Sequence, residues 1–153
     1  MSTFGPAING IDSFRRIKCS PSAFDGATLN ARGDEGGTSD PFTLFTVTGD
    51  VLIGVYGVCT TDLAGTGSVS VGPTSNTTLM MAALAGTSID QHEVWMDATP
   101  AIGKSIDSLS FYVVGNGVDI VEDITTNTIT SGNIYYVALW LPLSANSLVV
   151  SAV

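Results

Sequence analysis

Few side chains in this sequence can do chemistry, and most of them stand alone. His92 is the single histidine. It lies in an alternating stretch, with Val94 and Met96 on its own face and Glu93, Trp95 and Asp97 on the other, and reads as a structural strand residue rather than a base. Cys19 and Cys59 are the only cysteines. With His92 they make three scattered groups, which do not form the clustered ligand set that zinc needs. Both thiols are expected to stay reduced, because two cysteines make no disulfide framework and synthesis reads as cytosolic. No serine sits in a glycine-flanked elbow, and Gly65-Thr66-Gly67 lacks the lysine and the helix of a phosphate loop. Asp119, Glu122 and Asp123 come nearest to a catalytic carboxylate pair. Asp119 and Asp123 share a strand face, but four residues of strand hold them ~13 Å apart, too far for glycoside hydrolysis. Asp34, Glu35 and Asp40 lack a calcium-loop spacing and read as solvated turn acids. Arg32-Gly33-Asp34 spells an adhesion tripeptide, which means little without a route to secretion. The expectation is a protein that is not an enzyme, with no catalytic residue, metal or cofactor.

One group does stand out: Arg15-Arg16-Ile17-Lys18. The chain has 14 acidic residues against 5 basic ones, a net charge of −9. Four of the five cations, Arg15, Arg16, Lys18 and Arg32, fall in the first forty residues, while 41–153 carries Lys104 against nine acids. A cationic cluster ahead of an acidic body suits docking to an acidic partner surface, since arginine pairs carboxylates through two parallel hydrogen bonds. It does not suit nucleic acid, which needs a broad basic footprint.

The elements that must position these residues are strands. Val, Ile and Thr total 44 residues, while Glu, Lys, Arg and Gln total 9, a balance that favours strands and leaves helix surfaces without material. At 44% hydrophobic and 12% charged the chain is not a disordered one. No cationic, then apolar, leader opens it. Its most apolar run, 134–143, is half of what a membrane helix needs, so no membrane association is expected. Residues 1–40, rich in glycine and proline without a sustained period, read as an extended N-terminal arm ordered only against a partner. Residues 41–153 read as a single all-β domain, a β-sandwich of jelly-roll type with about eight strands. Gly49-Asp50 is expected to close a hairpin between 42–48 and 51–59, with further turns at Gly115-Asn116-Gly117 and Ser131-Gly132-Asn133. Residues 76–85 could be a strand or one short helix.

Two long stretches, 63–89 and 124–153, have no Asp, Glu, Lys or Arg. Monomers normally keep charge on exposed faces. Within 134–141, Ile134, Tyr136, Ala138 and Trp140 occupy one face and Tyr135, Val137, Leu139 and Leu141 the other. A sandwich core takes one face, and a second apolar face in water usually marks an interaction site. Tyr135, Val137, Leu139, Trp140 and Leu141 are therefore expected at an interface between copies, with cover by the protein's own arm or by 76–85 as the alternative.

Four strings resemble small β-rich proteins encoded among the head genes of tailed bacteriophages: Phe45-Thr46-Val47-Thr48-Gly49-Asp50-Val51, Glu93-Val94-Trp95-Met96-Asp97-Ala98-Thr99-Pro100, Val114-Gly115-Asn116-Gly117-Val118-Asp119-Ile120 and Leu139-Trp140-Leu141-Pro142-Leu143-Ser144-Ala145. The resemblance implies a capsid decoration, or cement, protein, made in the host cytoplasm and bound to the outer surface of the virion. The major capsid protein and further copies of itself, as a homotrimer, would be its partners. Arg15, Arg16 and Lys18 would then be the capsid-docking residues, which is a reading of the composition. A head fibre or tail-associated β-domain touching the host surface is the alternative. A carbohydrate-binding module, stacking sugars on Trp95, Trp140, Tyr112, Tyr135 and Tyr136, is the alternative of a different class.

Overall fold

The computed structural model describes residues 14–153. The β-branched excess forms ten strands: β1 (Arg15–Cys19), β2 (Phe42–Thr48), β3 (Val51–Gly65), β4 (Ser68–Pro73), β5 (Met81–Ala85), β6 (Val94–Trp95), β7 (Tyr112–Val114), β8 (Ile120–Thr125), β9 (Ile129–Pro142) and β10 (Leu148–Ser151). The helical elements among the described residues are two single 3₁₀ turns, Gly86–Ser88 and Ile106–Ser108. One sheet runs β1-β9-β3-β6, with β7 also paired to β3, and the other runs β10-β2-β8-β4-β5. Every pair is antiparallel. The all-β sandwich expected from composition is what forms, and 81–85 is a strand.

The inner faces meet in a core that includes Phe45, Ile53, Trp95, Ile120, Ile134 and Tyr136, all fully buried. Its backbone is the long β3·β9 ladder, in register from Val51↔Pro142 to Cys59↔Ile134. Beyond Cys59 the register shifts. Gly132 lies there at φ +103°, with Asp62 and Leu63 so close that a Cβ would stand 2.4 Å from the Asp62 carbonyl oxygen. Ser131-Gly132-Asn133 is thus a bulged stretch inside β9 rather than a turn between strands.

Two further turns do something other than expected. Gly49-Asp50 joins β2 of one sheet to β3 of the other, so it is a corner between sheets and not a hairpin. Gly115-Asn116-Gly117 likewise carries β7 of the first sheet to β8 of the second. The corners lock together. The Asp50 carboxylate accepts the Asn116 N–H at 2.9 Å, the Asp50 carbonyl accepts from the Ser147 hydroxyl at 2.7 Å, and the Gly117 N–H donates to the Gly49 carbonyl at 3.1 Å. Three of the four strings behind the phage resemblance converge on this end of the sandwich. Their short polar and glycine residues therefore have a structural task.

The largest correction concerns the arm. Residues 1–13 lie outside the described residues, but 14–40 belong to the sandwich. β1 pairs with β9 from Arg15↔Trp140 to Cys19↔Tyr136. Cys19, Phe24 and Arg32 are buried. The Phe24 N–H donates to the Gly132 carbonyl and the Gly26 N–H to that of Ile129. A run of turns needs no hydrophobic period to pack when its backbone bonds are met by a neighbouring strand.

Candidate functional site

β9 is buried on both faces along most of its length. Ile134, Tyr136, Ala138 and Trp140 point into the sandwich core. On the opposite face Val137 and Leu139 are 6% and 5% exposed, packed with Met96 and Leu109 and flanked by Phe14, Tyr56, Ile106, Phe111 and Tyr135. The cover is the segment after β6. It can lie this close because Gly54 of β3 faces it, where a Cβ would stand 2.9 Å from the Ser110 carbonyl and 3.0 Å from the Phe111 ring. Phe14 closes the edge against Phe111, their rings 4.5 Å apart. The second face is thus covered by the chain itself, and the interface expected from it is corrected. Val137, Leu139 and Trp140 have almost no surface to offer a second copy, while Tyr135 and Leu141 are half-buried. Cover by 96–111 was missed because its apolar residues are spread between turn residues without a period.

The sugar-stacking surface is corrected for the same reason. Trp95 and Tyr136 are fully buried and Trp140 is 3% exposed. The adhesion tripeptide is not one here either, because Arg32 is buried. Its guanidinium forks onto Glu122, Nε to Oε1 at 2.8 Å and Nη2 to Oε2 at 2.6 Å. Nη1 donates to the Ser22 carbonyl and to Asn133 Oδ1. The Tyr136 hydroxyl donates to Glu122 Oε2 at 2.5 Å, and the Phe24 ring centre lies 3.8 Å from the guanidinium carbon.

The other chemistry-bearing residues are bound into turns. Asp119 accepts the Val47 N–H, and Asp123 accepts the Thr77 hydroxyl. Asp34 accepts the Asn30 N–H, and Asp40 accepts those of Gly36 and Ile124. His92 is an exposed turn residue at φ 71°, not a strand residue. No cluster of three metal-ligating side chains is found among the described residues.

Cys19 and Cys59 are buried free thiols. Burial raises both, Cys59 to about 11, with Asp62, Asp90 and Glu93 adding to the effect and a backbone hydrogen bond of Thr61 opposing it. Desolvation also pushes the Tyr136 hydroxyl well up, as does Glu122 beside it. Each group is harder to ionise in the fold than in the unfolded chain. The stability that the thiols contribute is full well below pH 9, the ordinary cysteine value, and is lost as pH rises from there toward 11, whereas the Tyr136 contribution begins to be lost only near pH 10. For Cys59 this amounts to about 2 kcal/mol. Urea unfolding at pH 7.5 and 10.5 is expected to show the loss, and Cys59→Ala a shallower pH dependence.

What remains is a cleft of about 400 Å³ on the outer side of the first sheet, lined by Arg16, Lys18, Tyr56, Tyr135 and Val137. β1 and β9 build it. Arg16 and Lys18 alternate outward while Ile17 and Cys19 pack inward, and Lys18 lies opposite Val137 in register. The Lys18 ammonium sits 4.1 Å from the Tyr135 ring centre, a cation–π contact that holds it over the cleft. The Tyr56 hydroxyl is raised by burial and by Tyr135, while Arg16 works the other way. Arg15 projects on the other face, 5.0 Å from the Trp140 ring centre.

The charge distribution sharpens the picture. Among the described residues Arg32 is paired with Glu122 and Lys104 with Asp97. The three remaining cations, Arg15, Arg16 and Lys18, all lie on β1, the terminal strand of its sheet. The residues proposed for docking are therefore brought together at one exposed edge. Tyr56 and Tyr135 complete the cleft, and strand alternation alone could have placed them beside it only with the register known. Comparison with protein-family models, with curated proteins and with solved structures found no match.

Proposed function

We propose that this chain is a structural virion protein, a capsid decoration protein that binds the outer surface of a tailed-phage head and strengthens contacts between major capsid subunits. The observation that carries the reading is the segregation of charge. A protein of net charge −9 keeps its three unpaired described cations on one edge strand, beside an aromatic cleft. Such an edge suits an acidic protein surface better than a polyanion, which the rest of the molecule repels. The four strings quoted above add the family resemblance. The carboxylates that could have done acid–base work hold backbone and side-chain groups instead, which supports a mechanical role over catalysis.

Function on this reading is additive free energy: each bound copy stabilises the shell by its own binding energy to that assembled surface. Trimer formation rests on the resemblance alone, and so now does self-association as such, since the apolar face that argued for it is covered. The measurement is stoichiometry in purified virions of the phage that encodes the chain. A copy number near that of the major capsid protein is expected. A few copies per particle would favour the head-fibre or tail reading, and absence would end both.

A further inference from the structure

We propose that the Arg16–Lys18–Tyr56–Tyr135 cleft seats acidic side chains of an extended protein segment, with carboxylates at alternate positions, laid alongside β1. Arg16 and Lys18 are two residues apart on one strand face, ~7 Å along it. That spacing matches the i, i+2 side chains of another extended chain. Two formal charges face the cleft, and Val137 gives it an apolar floor for methylene stems. Tyr56 and Tyr135 each carry a hydroxyl that can donate to a carboxylate oxygen. Lys18 is already held over Tyr135, so less side-chain freedom is lost on binding. Charge complementarity selects the occupant. Polyanions and anionic membranes bring many charges against a body of net charge −9, whereas a segment with two or three carboxylates brings few. Arg15 takes no part, because it stacks on Trp140 from the opposite face.

The inference deepens the decoration reading. The identity of the partner rests on that reading, but the carboxylate chemistry of the cleft does not. The test is an NMR titration of the full chain with three probes: the capped peptide Thr-Glu-Thr-Glu-Thr, its glutamine counterpart and inorganic phosphate. The glutamate peptide is expected to shift the ring signals of Tyr56 and Tyr135. Its affinity is expected to fall about tenfold in the double variant Arg16→Gln, Lys18→Gln and to weaken with added salt, with no change in Arg15→Gln. Equal binding of the glutamine peptide, the same shifts from phosphate alone, or an unchanged double variant overturns the proposal. So does self-association that the double variant abolishes, which would make a second copy the occupant. Retention on shells is read separately. Peptide binding without shell retention sinks the decoration reading and leaves the cleft. Retention that the double variant does not reduce sinks the proposed docking of the partner in the cleft and leaves decoration.

Discussion

Arg32→Ala is expected to lower the unfolding free energy by about 3–5 kcal/mol, the largest effect of any single side-chain truncation outside the apolar core. Arg32 is 4% exposed and Glu122 is fully buried. Truncation leaves the Glu122 carboxylate desolvated with only the Tyr136 hydroxyl as partner. It also removes the bonds that the guanidinium makes to the Ser22 and Ile134 carbonyls. Arg32→Lys is expected to recover little, since an ammonium cannot make the two parallel bonds to Glu122 or lie flat against Phe24. Tyr136→Phe removes one hydrogen bond to a charged acceptor and is expected to cost about 1.5–3 kcal/mol. The double change Arg32→Met, Glu122→Leu removes both charges together and is expected to recover much of the loss, because a well-packed apolar pair can replace a buried ion pair. Urea unfolding of the purified variants reads all four. Arg32→Ala within 1 kcal/mol of the parent would mean that 20–35 does not pack as described.

Leu139→Ala is expected to destabilise the isolated chain by about 2–4 kcal/mol and to leave its state of association unchanged. Leu139 is 5% exposed and packs with Met96, Leu109 and Val137 under the 96–111 segment. Truncation opens a cavity beneath that segment, so its amides are also expected to exchange faster than those of the β3·β9 ladder. A leucine at an interface between copies behaves differently: the association constant falls and monomer stability holds. Sedimentation and denaturant unfolding on one preparation separate the two. Unaltered unfolding with lost self-association would restore the interface assignment and overturn the covered face.

The amino-acid sequence alone determined the class of the fold and the distinctness of the cations. A chain rich in Val, Ile and Thr and poor in helix-surface residues has little choice but strands, and the unbroken apolar run of 134–141, with both of its faces apolar, marks it as buried on both. Both signals are local, since they depend on residue type and on a period of two. The isolation of Arg15, Arg16 and Lys18 from an acidic body needed only counting. What covers the second face of β9 was not local. Met96, Ile106, Leu109 and Phe111 have no shared period, and they become a layer only because Gly54, far away in sequence, leaves room for them on β3. The turn residues were recognised, but not whether each reverses a strand within one sheet or crosses to the other, because a glycine's permitted φ says nothing about which strand pairs next. Arg32 and Glu122 illustrate the limit most plainly. Ninety residues apart, one sits in a polar loop and the other at an alternating strand position. Only the folding of 20–35 against β8 and β9 turns a loop arginine into the buried partner of a strand glutamate.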